Sequence, residues 1–167
     1  ALLSTATNYS IFEFLDLKIT GEPTIKVQRG WDRVGLLSDG AITSGLPCGS
    51  FNLDALDRLA LITVNDSITL GPELSFASTR TSVPTLSKNS ALTLYARGST
   101  GDLFFGSAVN FADRSLELVA ERNVHVSSHI PANSTSDPVT RVVPDINILA
   151  GHQFVFEPNV RISSACV

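Results

Sequence analysis

The sequence predicts an all-β chain, most of it wound as a short parallel β-helix, with an N-terminal β segment and one short helix. Three observations predict it. Apolar residues come as doublets of period two, such as Leu116 and Leu118 around Glu117. The doublets recur at a fixed interval, and only one stretch, nine residues long, carries helical spacing. The 167 residues read as a single domain. Within it, 1–50 hold N-terminal strands and Gly-rich loops, 51–61 the short helix, and 62–167 the solenoid-like repeats.

The N-terminal element is "NYSIFEFLDLKIT", residues 8–20, a long strand candidate. It would set Ile11, Leu15, Leu17 and Ile19 on one face and Phe12 and Phe14 on the other. "GEP" turns it into "TIKV", and residues 30–50, with five glycines, read as loop with short strands. Residues 52–60, "NLDALDRLA", form the helix candidate, with Asn52 as N-cap and Leu53, Leu56 and Ala60 on one face. Such a helix would close the apolar end of the first coil.

The repeats follow. Ile68 and Leu70 flank Thr69, Leu92 and Leu94 flank Thr93, and Leu116 and Leu118 flank Glu117, each set 24 residues after the last. A fourth doublet, Phe154 and Phe156 around Val155, comes 38 residues later. The excess of 14 equals the length of "PANSTSDPVTRVVP", residues 131–144, a Pro-, Ser- and Thr-rich loop insertion. Satellite doublets accompany these anchors: Ile62/Val64, Val109/Phe111 and Ile146/Ile148 upstream, and Leu74/Phe76, Leu103/Phe105, Val124/Val126 and Val160/Ile162 downstream. In each doublet both apolar residues point to one side of a three-residue strand. So short a strand gains a core and backbone partners only by stacking on its counterpart one coil away, about 4.8 Å along the axis. The rival architecture is a β-sandwich or jelly roll, whose strands also recur every 8–12 residues or so.

The last repeat, "FVFEPNVRISSACV", has no capping helix after it. An open coil end exposes unpaired backbone groups and apolar side chains, and proteins seldom leave such an edge bare. Ile11, Leu15, Leu17 and Ile19 of the first strand, and Val160 and Ile162 of the last coil, are therefore the candidates for covering it, within the chain or by strand addition between copies. Cys48 and Cys166, the two cysteines, are a disulfide candidate that would tie the last coil to the first third of the chain; two buried thiols are the alternative.

Composition narrows the roles. Charged residues are only 17%, against roughly 25% in ordinary soluble domains. The nine Arg and three Lys are scattered, which argues against nucleic acid as a partner. The longest largely apolar run, "LALITV", falls far short of the roughly 20 residues of a membrane helix, so no membrane insertion is expected. The chain holds no Met and opens on "ALLSTATNYS"; with 34 Ser and Thr and few Lys, this reads as a secreted or surface chain after removal of an N-terminal segment. Trimming of a cytosolic or viral precursor is the rival. Asn8, Asn65 and Asn133 stand in glycosylation sequons, about as many as chance supplies.

The segments "LTLYARGSTGDLFF" and "LELVAERNVHVSS" resemble the β-helical repeats of secreted bacterial adhesins of the filamentous-haemagglutinin type. "AGHQFVFEPNVRISS" is similar to a short solenoid repeat of bacterial secreted proteins reading Ala-Gly, alternating apolars, Pro-Gly, then small residues; here Asn159 replaces the Gly after Pro158. The resemblance covers residues 62–165. It implies a surface or matrix role and supplies no catalytic residues.

No reaction emerges from the side chains. His125 and His129 are four apart in "HVSSH", yet His125 is the outward centre of a doublet, and a metal would need Asp113 or Glu121 as well. There is no Gly-x-Ser-x-Gly elbow, and Cys48 has no His nearby in sequence. The doublet centres Thr69, Thr93, Glu117 and Val155 form no acidic row, and Asp39 and Asp102 read as turn residues. Thr69 and Thr93 in register would make a short polar ladder, and Trp31 and Tyr95 are aromatics with a polar tip. The expectation is a non-enzymatic secreted structural protein, with no cofactor or metal, that self-assembles through strand edges into a sheath, filament or coat. The alternatives are an adhesin or carbohydrate-binding module with a glycan or host-surface ligand, and a viral capsid or decoration protein.

Overall fold

A computed structural model describes residues 10–23, 25, 33–78, 91–110, 115–130, 146–158 and 160. The loop insertion 131–144 and Trp31 lie outside them, as do Cys166 and the side chain of Cys48, and with these the disulfide candidate. Among the described residues, fifteen strands follow in chain order. They are β1 Ser10–Phe14, β2 Leu17–Gly21, β3 Arg33–Ser38, β4 Ile42–Cys48, β5 Ser50–Asn52, β6 Arg58–Thr63, β7 Ile68–Leu70, β8 Ser75–Ala77, β9 Ala91–Ala96, β10 Leu103–Phe105, β11 Ala108–Asn110, β12 Ser115–Ala120, β13 Asn123–Val126, β14 Ile146–Ala150 and β15 Gln153–Phe156.

Every strand pairing among the described residues is parallel. The first sheet runs β1-β3-β6-β9-β12-β14, the second β2-β4-β7-β10-β13-β15, and the third β5-β8-β11. The chain visits the sheets in turn: each of the six coils adds one strand to the first sheet and one to the second, and the second, third and fourth coils add β5, β8 and β11 to the third. This is the winding of a parallel β-helix, and it excludes the sandwich and jelly roll, whose neighbouring strands run antiparallel. Leu92 and Leu116 are direct neighbours in register on one sheet.

Four expectations need correction. No helix forms over 52–60. Asn52 ends β5, and its Oδ1 accepts the Asp54 N–H at 2.8 Å, the capping contact without the helix. A turn closed by Leu56 N–H to Leu53 C=O, 3.0 Å, then buries both leucines, and β6 begins at Arg58. The two apolar residues reach the interior by one turn, so no further helical turn is needed. Second, residues 8–20 are not one strand: β1 and β2 meet at a corner of Leu15 and Asp16 and belong to different sheets. That corner breaks the alternation. Phe12 and Phe14 share the inward rows of Leu36 and Ser38, Ile11 falls outward beside Gly35, and Leu17 joins the inward row of Ile42. The parallel winding therefore starts at β1, well before residue 62.

Third, the 24-residue spacing mixes two sheets. Leu92/Leu94 does stack on Leu116/Leu118, but Ile68/Leu70 stacks on Leu103/Phe105, and Phe154/Phe156 on Val124/Val126. Fourth, Thr69 and Thr93 are not a ladder. Thr69 lies between Thr43 and Phe104 on the second sheet, and Thr93 between Ala60 and Glu117 on the first.

Between the sheets lies one apolar cluster. Its middle coils are sealed: Leu59, Leu61, Leu92, Leu94, Leu116 and Leu118 are buried on the first sheet, and Ile68, Leu103 and Val124 on the second. On the third side, Phe76 stacks between Phe51 at 5.8 Å and Phe105 at 6.4 Å. Corners are tied by polar groups from adjacent coils. In "RGSTG" the Gly98 φ of +89° suits only glycine, and an added Cβ would lie 2.8 Å from the Asn65 Cα. The Gly98 N–H donates to Glu121 Oε2 at 2.8 Å, and Glu121 Oε1 accepts the Tyr95 hydroxyl at 3.3 Å. Burial, reinforced by the Glu121 charge, pushes the Tyr95 hydroxyl above its ordinary pKa.

Candidate functional site: the two open coil ends

The ladders define rows of side chains that run the length of the molecule. One inward row of the first sheet reads Phe12, Leu36, Leu61, Leu94, Leu118, Ile148. The next reads Phe14, Ser38, Thr63, Ala96, Ala120, Ala150. On the second sheet an inward row reads Leu17, Ile42, Ile68, Leu103, Val124, Phe154. Positions that are dry in the middle of each row emerge at its ends. Phe12 and Phe14 are 46% and 37% exposed in the first coil, and Phe154 and Phe156 are 41% and 55% exposed in the last.

The backbone repeats the pattern. Among the described residues, β1 and β14 each lack a partner along one side, as do β2 and β15. Among the described residues, both ends thus present sheet-edge strands beside exposed apolar side chains, the combination that pairs with another strand.

The residues expected to form this edge are dispersed. Ile11 is exposed on the outer face of β1, and Leu15 is 79% exposed at the corner. Leu17 is half-buried, Ile19 is buried, and Val160 is half-buried against the core; Ile162 lies outside the described residues. Missing from the sequence reading were Phe12, Phe14, Phe154 and Phe156 as edge residues. The signal was present in the last anchor doublet, but placing the phenylalanines of β1 inward required knowing about the corner at Leu15 and Asp16.

Elsewhere, polar side chains join coil to coil. The Ser44 hydroxyl donates to Glu73 Oε1 at 2.5 Å and accepts the Gly71 N–H at 2.8 Å. Asp102 accepts from Arg122 Nε at 3.2 Å and from the Asn123 N–H at 3.1 Å. His125 stacks on Phe104, ring centres 4.8 Å apart, and His152 Nδ1 lies 3.2 Å from Asn123 Oδ1. No three His, Cys, Asp or Glu come together as a metal cluster among the described residues. Asn65 is exposed at its corner, with its C=O accepting the Thr100 hydroxyl at 2.9 Å; Asn8 and Asn133 lie outside the described residues.

The Ser44 contact makes one prediction. That hydrogen bond, helped by Glu73's own N–H, holds the Glu73 carboxyl below its ordinary pKa, against a smaller opposing effect of burial. A depressed folded pKa stabilises above the unfolded value, about 4.3, and the contribution is lost as pH falls through the folded value. Ser44→Ala is therefore expected to raise the Glu73 pKa, read from its side-chain carboxyl resonance by NMR. The stability gap between the native chain and this variant should narrow as the solution is acidified through that range.

Comparison of the chain with family models, with curated proteins and with solved structures gives no match. The reading of function therefore rests on the geometry of the two ends.

Proposed function

We propose that this chain is a non-enzymatic structural protein of an extracellular surface that self-associates through its open coil ends, building a sheath, filament or coat. One observation carries the reading: the inward apolar rows run to both ends of the coil stack and are exposed there, flanked by edge strands. The low charge of the chain and its likeness to adhesin repeats support the same reading. The capsid or decoration alternative was expected from a sandwich fold and a processed N-terminus, and the parallel ladders remove the first of these supports.

Static light scattering across micromolar concentrations tests the proposal. The expected result is a mass that climbs with concentration above the 17.8 kDa of one chain. A constant 17.8 kDa at every concentration would overturn it.

A glycan-binding role has one observation in its favour. The exposed Phe104 ring stacks nearly parallel on His125, 16° between planes, on the outer row that also carries Thr69 and Thr43. An exposed aromatic ring in line with hydroxyls suits a sugar ring. Selective retention of any glycan on an array would replace the structural reading with this one.

A further inference from the structure

The reading above leaves open which ends meet. Resting on it, we propose that copies join head to tail: the last coil of one copy receives the first coil of the next, in parallel and in the register of the existing rows. The partner is a second copy of this chain, presenting its opposite end.

The rows themselves carry the inference. One ladder step beyond β14 places Phe12 of the incoming copy on Ile148 and Phe14 on Ala150, because each pair already belongs to one row. One step beyond β15 places Leu17 on Phe154 in the same way. Bulk then alternates across the junction. The first coil carries its aromatics on the first sheet and aliphatics on the second, while the last coil carries aliphatics on the first and Phe154 and Phe156 on the second. Each large ring meets a smaller side chain, the pattern that fills a core without voids or overlap.

Corners are short at both ends. Between the paired rows the first coil has two corner residues, Leu15 and Asp16, and the last has three, Gly151, His152 and Gln153; the first coil already meets such a three-residue corner in Asp39, Gly40 and Ala41, so neither end carries a long loop that would hold the coils apart. Counted on from Phe14 over Ala150, the exposed Leu15 falls on Gly151, which has no side chain to meet it. Gly151 itself sits so close to the Glu121 carbonyl of the coil beneath that an added Cβ would collide with it.

Joining like ends does not achieve this. A two-fold axis across the coil axis reverses the sense of winding of one copy relative to the other. If β14 then faces β14 of its partner, β15 faces the partner's third side instead of its second sheet. An axis through the corner between the two sheets sets β14 against the partner's β15 instead, but with the strands antiparallel, so the parallel register of the rows is broken; head-to-tail stacking keeps that register on both sheets. A head-to-tail interface does not close on itself, so it propagates as an open, polar filament.

Photo-cross-linking on the full chain tests the polarity. Leu149, on the outer face of β14 and 64% exposed, is replaced by p-benzoylphenylalanine. The variant is irradiated at a concentration where scattering shows association, then digested with trypsin. Leu149 shares its row with Val119, Tyr95, Ile62, Leu37 and Glu13. The expected cross-link therefore joins the peptide 142–161 of one copy to the peptide 1–18 of another. The reciprocal variant, Glu13→p-benzoylphenylalanine, should give the same peptide pair and keeps the test alive if the first variant folds poorly. Cross-links between two copies of 142–161, or between two copies of 1–18, would overturn the polarity and leave self-association standing. Cross-links to the middle coils would overturn it too. Absence of association at any concentration would overturn both proposals together.

Discussion

Phe76→Ala is expected to cost about 3–5 kcal/mol of folding stability, whereas Phe104→Ala costs about 1 kcal/mol. The two phenylalanines belong to neighbouring coils and differ in the side of the sheet they occupy. Phe76 is fully buried in β8 and stacks on Phe51 of the coil before and Phe105 of the coil after. Its strand has only three residues, so few ladder hydrogen bonds hold the third sheet when the ring is removed. The cavity would open at the level where the second, third and fourth coils meet, and the strands around it are tied into parallel sheets that limit collapse. Phe104 lies outward and exposed, and its truncation removes the stack on His125 but creates no hole. With a whole domain holding about 5–15 kcal/mol, the first variant should show a large fall in the urea midpoint and the second a small one. Equal losses would mean that the inward and outward rows have been exchanged.

That contrast was partly legible in the sequence. Phe76 and Phe105 were read as doublet members, hence inward, and the structure buries both. Stacking of Leu92/Leu94 on Leu116/Leu118 was legible too, because the intervening coil has a spacing of 24 and no long insertion. What the spacing hid was that each coil contributes doublets to more than one sheet. Ile68 and Leu92 look like successive copies of one element, yet they occupy different sides, and only pairing partners reveal it. Corners of unequal length are the physical reason. Two residues separate β12 from β13, while four separate β6 from β7 and six separate β9 from β10, so a doublet's distance along the chain does not fix its row.

The helix expected over 52–60 failed for a related reason. Leu53 and Leu56 have helical spacing because a single turn must direct both into the interior, and the β-branched and leucine-rich "RLALIT" that follows pairs with strands on both sides. At the N-terminus, uniform alternation from Ile11 to Ile19 was assumed across Leu15 and Asp16. A corner there leaves Leu17 inward and Ile11 outward, so the candidate edge moved to the phenylalanines.

Blocking one end at a time is expected to have the largest effect on assembly. Phe12→Glu puts a carboxylate into the inward row of the first coil, and Phe156→Glu does the same in the last. Both positions are substantially exposed in the free chain, so each variant is expected to keep its fold. In a head-to-tail junction the new charge would be buried against apolar neighbours without a partner, a penalty of several kcal/mol. At about 1.4 kcal/mol per factor of ten, that weakens association by roughly 100-fold or more. Each variant alone should therefore sediment as a monomer at concentrations where the native chain assembles, because one of the two surfaces every junction needs is spoiled. Mixed in equal amounts, they behave differently. The Phe12→Glu copy still has an intact last coil, the Phe156→Glu copy an intact first coil, and these two surfaces fit each other. The mixture should give dimers and nothing longer, since both outer ends of such a dimer are blocked. Either variant added in small amounts to native chain should also shorten its assemblies, by capping one end. Dimers from one variant alone would point to like ends meeting, and assemblies indifferent to both substitutions would place the contact away from the coil ends.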